Sequence, residues 1–285
     1  MSAPAPALSS STITGIVLAA MAVLALIETI VPLHSRGRWN RAHLTPNLML
    51  TGITFAIGAV LNSTLVLTLT WLDSKGLAWL SKCGLSPLTN TIIVIVVLDF
   101  AFYVAHVAMH KVPTFWRFHR VHHSDPAVDV TTTLRQHPGE SVIRSSFTAV
   151  FAIGLGASPG AFAIYQLSSV LNGFLEHANL GVPLWLDRLL VLITTWPSMH
   201  KIHHSRCAAE TDTNYGNIFS LFDRVFLTFT PSTLAVGIVY GLSAFDEPDT
   251  QSTAGLLRMP FGATARSLES APPVFDTQSV AARPR

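Results

Sequence analysis

Residues 98–123 read LDFAFYVAHVAMHKVPTFWRFHRVHH, an apolar run that passes into histidine without losing helical spacing. Asp99, Tyr103, His106 and His110 recur at intervals of four, three and four, so their side chains share one helical face. Two imidazoles one turn apart can chelate a single metal ion, with Asp99 and Tyr103 behind them to orient or neutralise. Beyond His110 comes HRVHH, in which His119 stands i, i+3 from His122 and i, i+4 from His123. One histidine of such a triplet can share a metal with one neighbour while the adjacent histidine points toward another. The same grammar returns as HKIHH at His200, His203 and His204. A single pair of this kind near a membrane surface is more often structural, but three clusters in one chain favour metal, because histidine is costly in hydrocarbon. Eight candidate ligands exceed the four of a tetrahedral zinc, which implies at least two ions. Imidazole suits iron, zinc, copper and nickel alike, so ligand type does not choose among them.

The surroundings of these clusters are those of a membrane protein. Only 12% of the 285 residues are charged and 49% are hydrophobic, against about 25% charged in ordinary soluble domains. A net charge of +2 with no long basic run argues against nucleic acid as a partner. Cys83 and Cys207 lie far apart and outside any CxxC pair, which suggests neither a disulfide framework nor a thiolate zinc site. Apolar runs at about residues 12–33, 47–72 and 89–110 are long enough to span a bilayer, the first with Glu28 as its one charge. No Lys or Arg precedes that first run and it is long for a signal peptide, so it reads as an anchor. Arg36, Arg38 and Arg41 follow the first run, and Lys111, Arg117, Arg120 and Arg135 follow the third. Positive loops stay inside, which predicts an outside N-terminus and every histidine from 110 onward on the cytoplasmic side. The stretch 142–177 is again apolar but is interrupted by the turn signal Ala157-Ser158-Pro159-Gly160. It reads either as two tilted helices or as a re-entrant hairpin, and both return the chain to the side on which it began. Residues 184–196 have the pattern of an amphipathic interfacial helix, and the chain from about 246 onward has the composition of a disordered tail.

HVAMH, HRVHH and HKIHH, followed by TDTNYG at 211–216 and FDRVF at 222–226, resemble the fatty acid hydroxylase and sterol desaturase superfamily of membrane di-iron oxygenases. The similarity runs from about residue 98 to 230, and HHSDPAVDVTTTLRQHP is especially similar to the branch containing alkylglycerol monooxygenase and its bacterial relatives. The resemblance implies an all-α integral membrane fold with about four transmembrane helices, or fewer with a re-entrant hairpin, carrying a cytoplasmic helical cap that holds the di-metal site. It divides the chain into membrane spans at 1–97, a catalytic region at 98–232 that includes the hairpin, and a C-terminal segment at 233–285. It implies His106, His110, His119, His122, His123, His200, His203 and His204 as ligands, with His177 of FLEHANLG matching an additional family histidine. Zinc could replace iron in recombinant protein.

Other residues carry weaker signals. His137 of RQHPGE lacks a partner at helical spacing and reads as structural or as support for a ligand, and Asn172 matches a polar position that reaches iron through water in some relatives. Asp99, Asp125, Asp129, Glu140, Glu176 and Asp212 are near the clusters; they would orient ligands through the far ring nitrogen or simply pair with Arg117, Arg120, Arg135 and Arg206. His34 and His43 read as solvent or headgroup contacts, Cys207 as a bystander, and Asp223 with Arg224 as an ion pair. By resemblance the activity is an O2-dependent hydroxylation of a lipid C–H bond in a fatty acyl, sterol-like or alkylglycerol substrate. Neither GxGxxG nor CxxCH occurs, so electrons would come from a separate donor, which the sequence does not identify. A desaturase with the same ligands is the alternative within the class; a histidine-rich metal transporter or storage protein, or a bis-histidine haem protein, is the alternative outside it.

Overall fold

The computed structural model describes residues 10–34, 43–231 and 237–262, and over these the chain is helical, with a few isolated β-bridges and no strand. The Arg36, Arg38 and Arg41 loop, the first nine residues and the chain beyond 262 lie outside the described residues. Three helices are long and apolar enough to cross a membrane, over Thr12–Ile30, Leu44–Ser74 and Pro87–Lys111. They correspond to α1 (Ser10–Ile30), α2 (Leu44–Ser74) and α3 (Pro87–Lys111). The short α4 (Pro113–His123) then turns away from the end of α3. The interrupted apolar stretch forms α5 (Pro138–Leu155) and α6 (Pro159–His177).

Proline sets where these helices begin. Pro87, Pro113, Pro138 and Pro159 each occupy the first turn of a helix, where a missing N–H costs nothing. Ser86 and Ser158 cap α3 and α6 through their hydroxyls, and the His137 ring caps α5 by accepting the Gly139 N–H. Gly156 ends α5 at φ 64°, and a Cβ there would lie 2.7 Å from the Trp79 backbone nitrogen. The turn between α5 and α6 is thus pressed against the connection between α2 and α3, and the Trp79 indole donates to the Gly154 carbonyl at 2.9 Å. At about 1.5 Å per residue, helices of 18 and 19 residues reach roughly 27 Å. That length carries them along α3, with which both pack, from the histidine end to the opposite end of the bundle. Leu65, Leu69, Leu98 and Phe162 fill the core at that opposite end.

The histidine end is closed by short elements: α7 (Leu184–Leu190), α8 (Pro197–His203), α9 (Ala208–Thr211) and α10 (Leu221–Val225). Glu28, the one charge of the first apolar run, is buried and accepts the backbone N–H groups of Val130 and Asn179, which fastens α1 to this closure. The amphipathic helix expected over 184–196 is shorter, ending at Leu190 and followed by a turn; Trp185, Leu189, Leu192 and Ile193 are exposed while Asp187 turns inward to accept the Ser198 hydroxyl.

The expectation of a disordered tail from 246 is corrected over 246–262. This segment forms α11 (Thr253–Arg258) and packs Leu256 and Met259 against Leu50 of α2 and Val121 of α4. Its order comes from polar anchoring that apolar periodicity does not register. Asp246 pairs with Arg206 at 2.8 Å, the Gln251 carbonyl oxygen accepts from Arg135 at 2.6 Å, and the Met259 carbonyl accepts from Arg120. Leu256→Ala is therefore expected to destabilise the fold by roughly 2–5 kcal/mol, read as a lowered unfolding midpoint of the purified protein; an unchanged midpoint would restore the inert tail.

Candidate metal centre

Nine of the twelve histidines converge in two buried groups. His106, His110, His119, His123 and His203 form one, and His122, His177, His200 and His204 form the other. Within each group one ligand atom per residue lies within 4.8 Å of all the rest. The two triplets divide in opposite senses. On α4, His119 and His123 face the first group and His122 the second; around α8, His200 and His204 face the second and His203 the first. The i, i+4 pair goes to one side and the intermediate histidine to the other, so each triplet reaches both groups. The groups touch, with the His123 and His204 rings stacked at 4.6 Å between centroids.

The far nitrogens fix which atoms point inward. A carbonyl can only accept, so a ring nitrogen bonded to one carries the proton and leaves the opposite nitrogen bare. His106 Nδ1 donates to the Tyr215 carbonyl at 2.8 Å, His203 Nδ1 to Thr213 at 2.8 Å and His177 Nδ1 to Gly173 at 2.7 Å. His119 Nδ1 faces Glu140 Oε1 at 3.0 Å, and His110 Nδ1 faces Asp212 Oδ1 at 3.4 Å. Burial, with the facing imidazoles, pushes His122, His123, His200 and His204 well below the ordinary imidazole range. Burial likewise takes His203 down to about 3. These rings are uncharged at neutral pH and competent as ligands.

The inward nitrogens crowd one another as only a shared cation can satisfy. His177 Nε2, bare because Nδ1 holds the proton, lies 3.0 Å from His122 Nε2, 3.0 Å from His200 Nε2 and 3.1 Å from His204 Nε2. One lone pair accepts from one N–H, and three converging donors would repel one another. A metal ion at the usual imidazole distance of about 2.1 Å would accept all four. In the first group His119 Nε2 is likewise 3.1 Å from His106 Nε2 and 3.2 Å from His123 Nε2. The donor set fits a transition metal in each group.

The acids divide by what they touch. Glu140 and Asp212 meet ring nitrogens, whereas Glu176 stands 3.7 Å from His177 Nδ1 and 3.8 Å from His200 Nε2, beyond hydrogen-bond reach. Asp99 does not face the histidines that follow it. Its oxygens accept the Ile218 and Phe219 N–H groups at 3.0 Å each, tying the loop after the last cluster to α3. Tyr103 bonds the Thr228 hydroxyl at 2.9 Å, and Asn172 donates to the Asn217 carbonyl at 2.6 Å, so both also hold this loop. Asp223 accepts the Tyr215 and Gly216 N–H groups, while Arg224 stacks over Phe229, in place of the expected ion pair between them. Asn214 takes φ 56° in that turn. His137 donates from Nε2 to the Leu257 carbonyl while its Nδ1 accepts the Gly139 N–H, and it belongs to neither group.

His43 corrects the expectation of a headgroup contact: it is buried, with Nδ1 3.2 Å from Asp125 Oδ1 and Nε2 3.6 Å from Asp129 Oδ2. Asp125 also accepts from Asn47 and Thr132 at 2.8 Å each. Burial alone would raise its carboxyl, but the Arg135 charge and the His43 contact hold it well below the usual range. Lys201, inside HKIHH, went unnoticed in the sequence. It is buried and donates to the Val128 and His177 carbonyls at 2.5 and 2.6 Å. The signal was present, because Arg120 holds the same position in HRVHH and is equally buried against a carbonyl.

Comparison with known proteins gives this arrangement a family. The fatty acid hydroxylase model matches residues 91–228, a stretch that holds all nine grouped histidines. Residues 91–228 are a fatty acid hydroxylase domain. Alkylglycerol monooxygenase of Xenopus tropicalis is 31% identical over 188 residues, covering 64% of this chain and 36% of that protein. Ornithine lipid hydroxylase OlsE of Rhizobium tropici is 31% identical over 148 residues, covering 50% of this chain and 44% of that protein. Very-long-chain aldehyde decarbonylase GL1-5 of Oryza sativa subsp. indica is 28% identical over 148 residues, covering 48% and 22%. The chain thus spans less than half the length of each of these relatives. No solved structure matches it.

Glu140 faces a ring nitrogen of the grouped His119, whereas Asp125 faces His43, which belongs to neither group. Glu140→Gln should therefore lower metal affinity about 10–100-fold in a competitive titration, with little change in unfolding midpoint. Asp125→Asn should do the reverse, leaving affinity intact while destabilising by roughly 3–5 kcal/mol as a buried pair is broken. Equal effects on affinity would mean that the acids act only through the fold.

Proposed function

We propose that this chain is a membrane-bound di-iron oxygenase that hydroxylates a C–H bond of a lipid. The observation that carries the proposal is a cavity of about 880 Å³ between the long helices that reaches His106 and His119 of one group and His122, His177 and His200 of the other. Its wall runs from Val17 of α1 and Phe55 of α2 to Phe162 of α6, so an alkyl chain could lie among the spans with one end at the histidines. Two iron ions held by the two groups would supply dioxygen activation and hydrogen removal from an unactivated C–H bond, so that a lipid, O2, two electrons from a separate donor and two protons give a hydroxylated lipid and water.

The chain's own residues supply position and dryness. Carbonyls of Tyr215, Thr213 and Gly173 hold three rings in one tautomer, and Asp99 and Asp223 hold the loop that carries two of those carbonyls. All nine rings are buried, so water reaches the centre only through the cavity or by local opening. A metal transporter needs ligands that release their ion, and rings tied at the far nitrogen to backbone suit a resident cofactor better. The rice relative is named an aldehyde decarbonylase, which supports a second reading in which the lipid reaction is one other than hydroxylation.

The hairpin tip against Trp79 supports α5 and α6 as helices that traverse the layer crossed by α2 and α3, in place of a shallow re-entrant loop. With the basic loops inside, the N-terminus then lies outside and the histidine end is cytoplasmic. The test is mass spectrometry of membranes from cells expressing the wild type or His203→Ala under isotopically heavy dioxygen. The wild type should accumulate a lipid carrying the heavy oxygen that the variant lacks. A dehydrogenated lipid without the label would select the desaturase alternative, and no difference would contradict the proposal.

A further inference from the structure

Arg144 is the only lysine or arginine among the described residues that line the cavity. It sits on α5 one turn beyond Glu140, the acid that faces His119, and its guanidinium lies 4.7 Å over the Phe102 ring. Phe102 in turn stands one turn before His106 on α3, with ring centroids 5.6 Å apart. Two helices therefore place the guanidinium about one turn, roughly 5 Å, from the first histidine group on the cavity side. The closest anion is Glu140, whose Oε1 is 3.9 Å from Nη1. At that distance the two form a long i, i+4 ion pair and no hydrogen bond, and the same oxygen also faces His119 Nδ1 at 3.0 Å. Arg144 thus has a face fixed by Phe102 and five N–H donors for which the described residues provide no hydrogen-bond acceptor. The one acid on the cavity wall, Glu176, stands by His177 and His200 of the other group.

An arginine at membrane depth is costly unless something pairs with it, and such residues mark binding pathways. Its planar fork matches the two oxygens of a carboxylate or phosphate, and such charge-assisted pairs are among the stronger hydrogen bonds. We propose that Arg144 is a specificity-determining residue that anchors the oxyanion of an acidic lipid, carboxylate or phosphate, while the alkyl chain extends along the cavity between the spans. This rests on the oxygenase reading for the identity of the cavity as a substrate site.

The test needs no turnover. Oleate, oleyl phosphate and oleyl alcohol share one chain and differ only in headgroup, and their equilibrium binding can be measured on the metal-loaded full chain in detergent at pH 8. Wild type should bind at least one anion about tenfold more tightly than the alcohol, the size expected of one charge-assisted hydrogen-bonded contact; the preferred anion identifies the headgroup. Arg144→Gln and Arg144→Met, made in parallel in case one fails to fold, should erase that preference while alcohol affinity and metal content stay as in wild type. Equal binding of all three by wild type, or a preference that survives in a folded variant, would overturn the proposal. Metal content reports the oxygenase reading separately: a metal-free but folded chain that still prefers the anion would sink that reading and leave Arg144 standing.

Discussion

Imidazole nitrogens held 3.0–3.2 Å apart in a buried interior crowd one another, and the rest of the structure can be understood as what is needed to keep them there. Each ring must be neutral, turned the right way and prevented from relaxing outward. Neutrality follows from burial. Orientation of His106, His177 and His203 follows from carbonyls at their far nitrogens, and Glu140 faces that of His119; these partners come from α6, α5 and the loop after α8. Resistance to relaxation follows from the polar ties that anchor these elements to the long helices, notably Asp99 to the loop and Glu28 to the segments at 130 and 179. A cation in each group turns the crowding into coordination, which makes the metal and the fold of this end of the molecule interdependent.

Opposite division of the two triplets gives the site its economy. A single helical turn cannot aim three imidazoles at one point, but it can aim a pair at one point and the third at a neighbour. Because α4 sends its pair to the first group and the α8 triplet sends its pair to the second, each short helix ties both groups together. The lone His177 completes the four of the second group, and His106 and His110 on α3 complete the five of the first. The first group is thus fastened to α3, a helix long and apolar enough to cross a membrane, and the second to the hairpin, and the cavity opens between those supports.

What was legible in the sequence was local. Histidine spacing on one helix, the apolar runs at about 12–33, 47–72 and 89–110 and the Ala157-Ser158-Pro159-Gly160 break are all properties of consecutive residues. What was not legible depends on partners far along the chain. Asp99 looked like a companion of His106, yet its acceptor role is toward N–H groups 119 and 120 residues away. His43 looked like a surface residue because nothing in its own segment reveals Asp125, and residues 246–262 looked unstructured because a 116-residue separation hides the bond from Arg135 to Gln251. Helical periodicity detects apolar faces. It is silent about buried polar ties, which here do much of the fastening.

Metal stoichiometry is the measurement closest to the central claim that nine histidines form two metal sites. Elemental analysis of folded, detergent-purified full-length protein should find about two transition-metal ions per chain, because the five-member and four-member groups each offer a complete imidazole set. One ion per chain, or none, in a sample that is demonstrably folded would contradict the account.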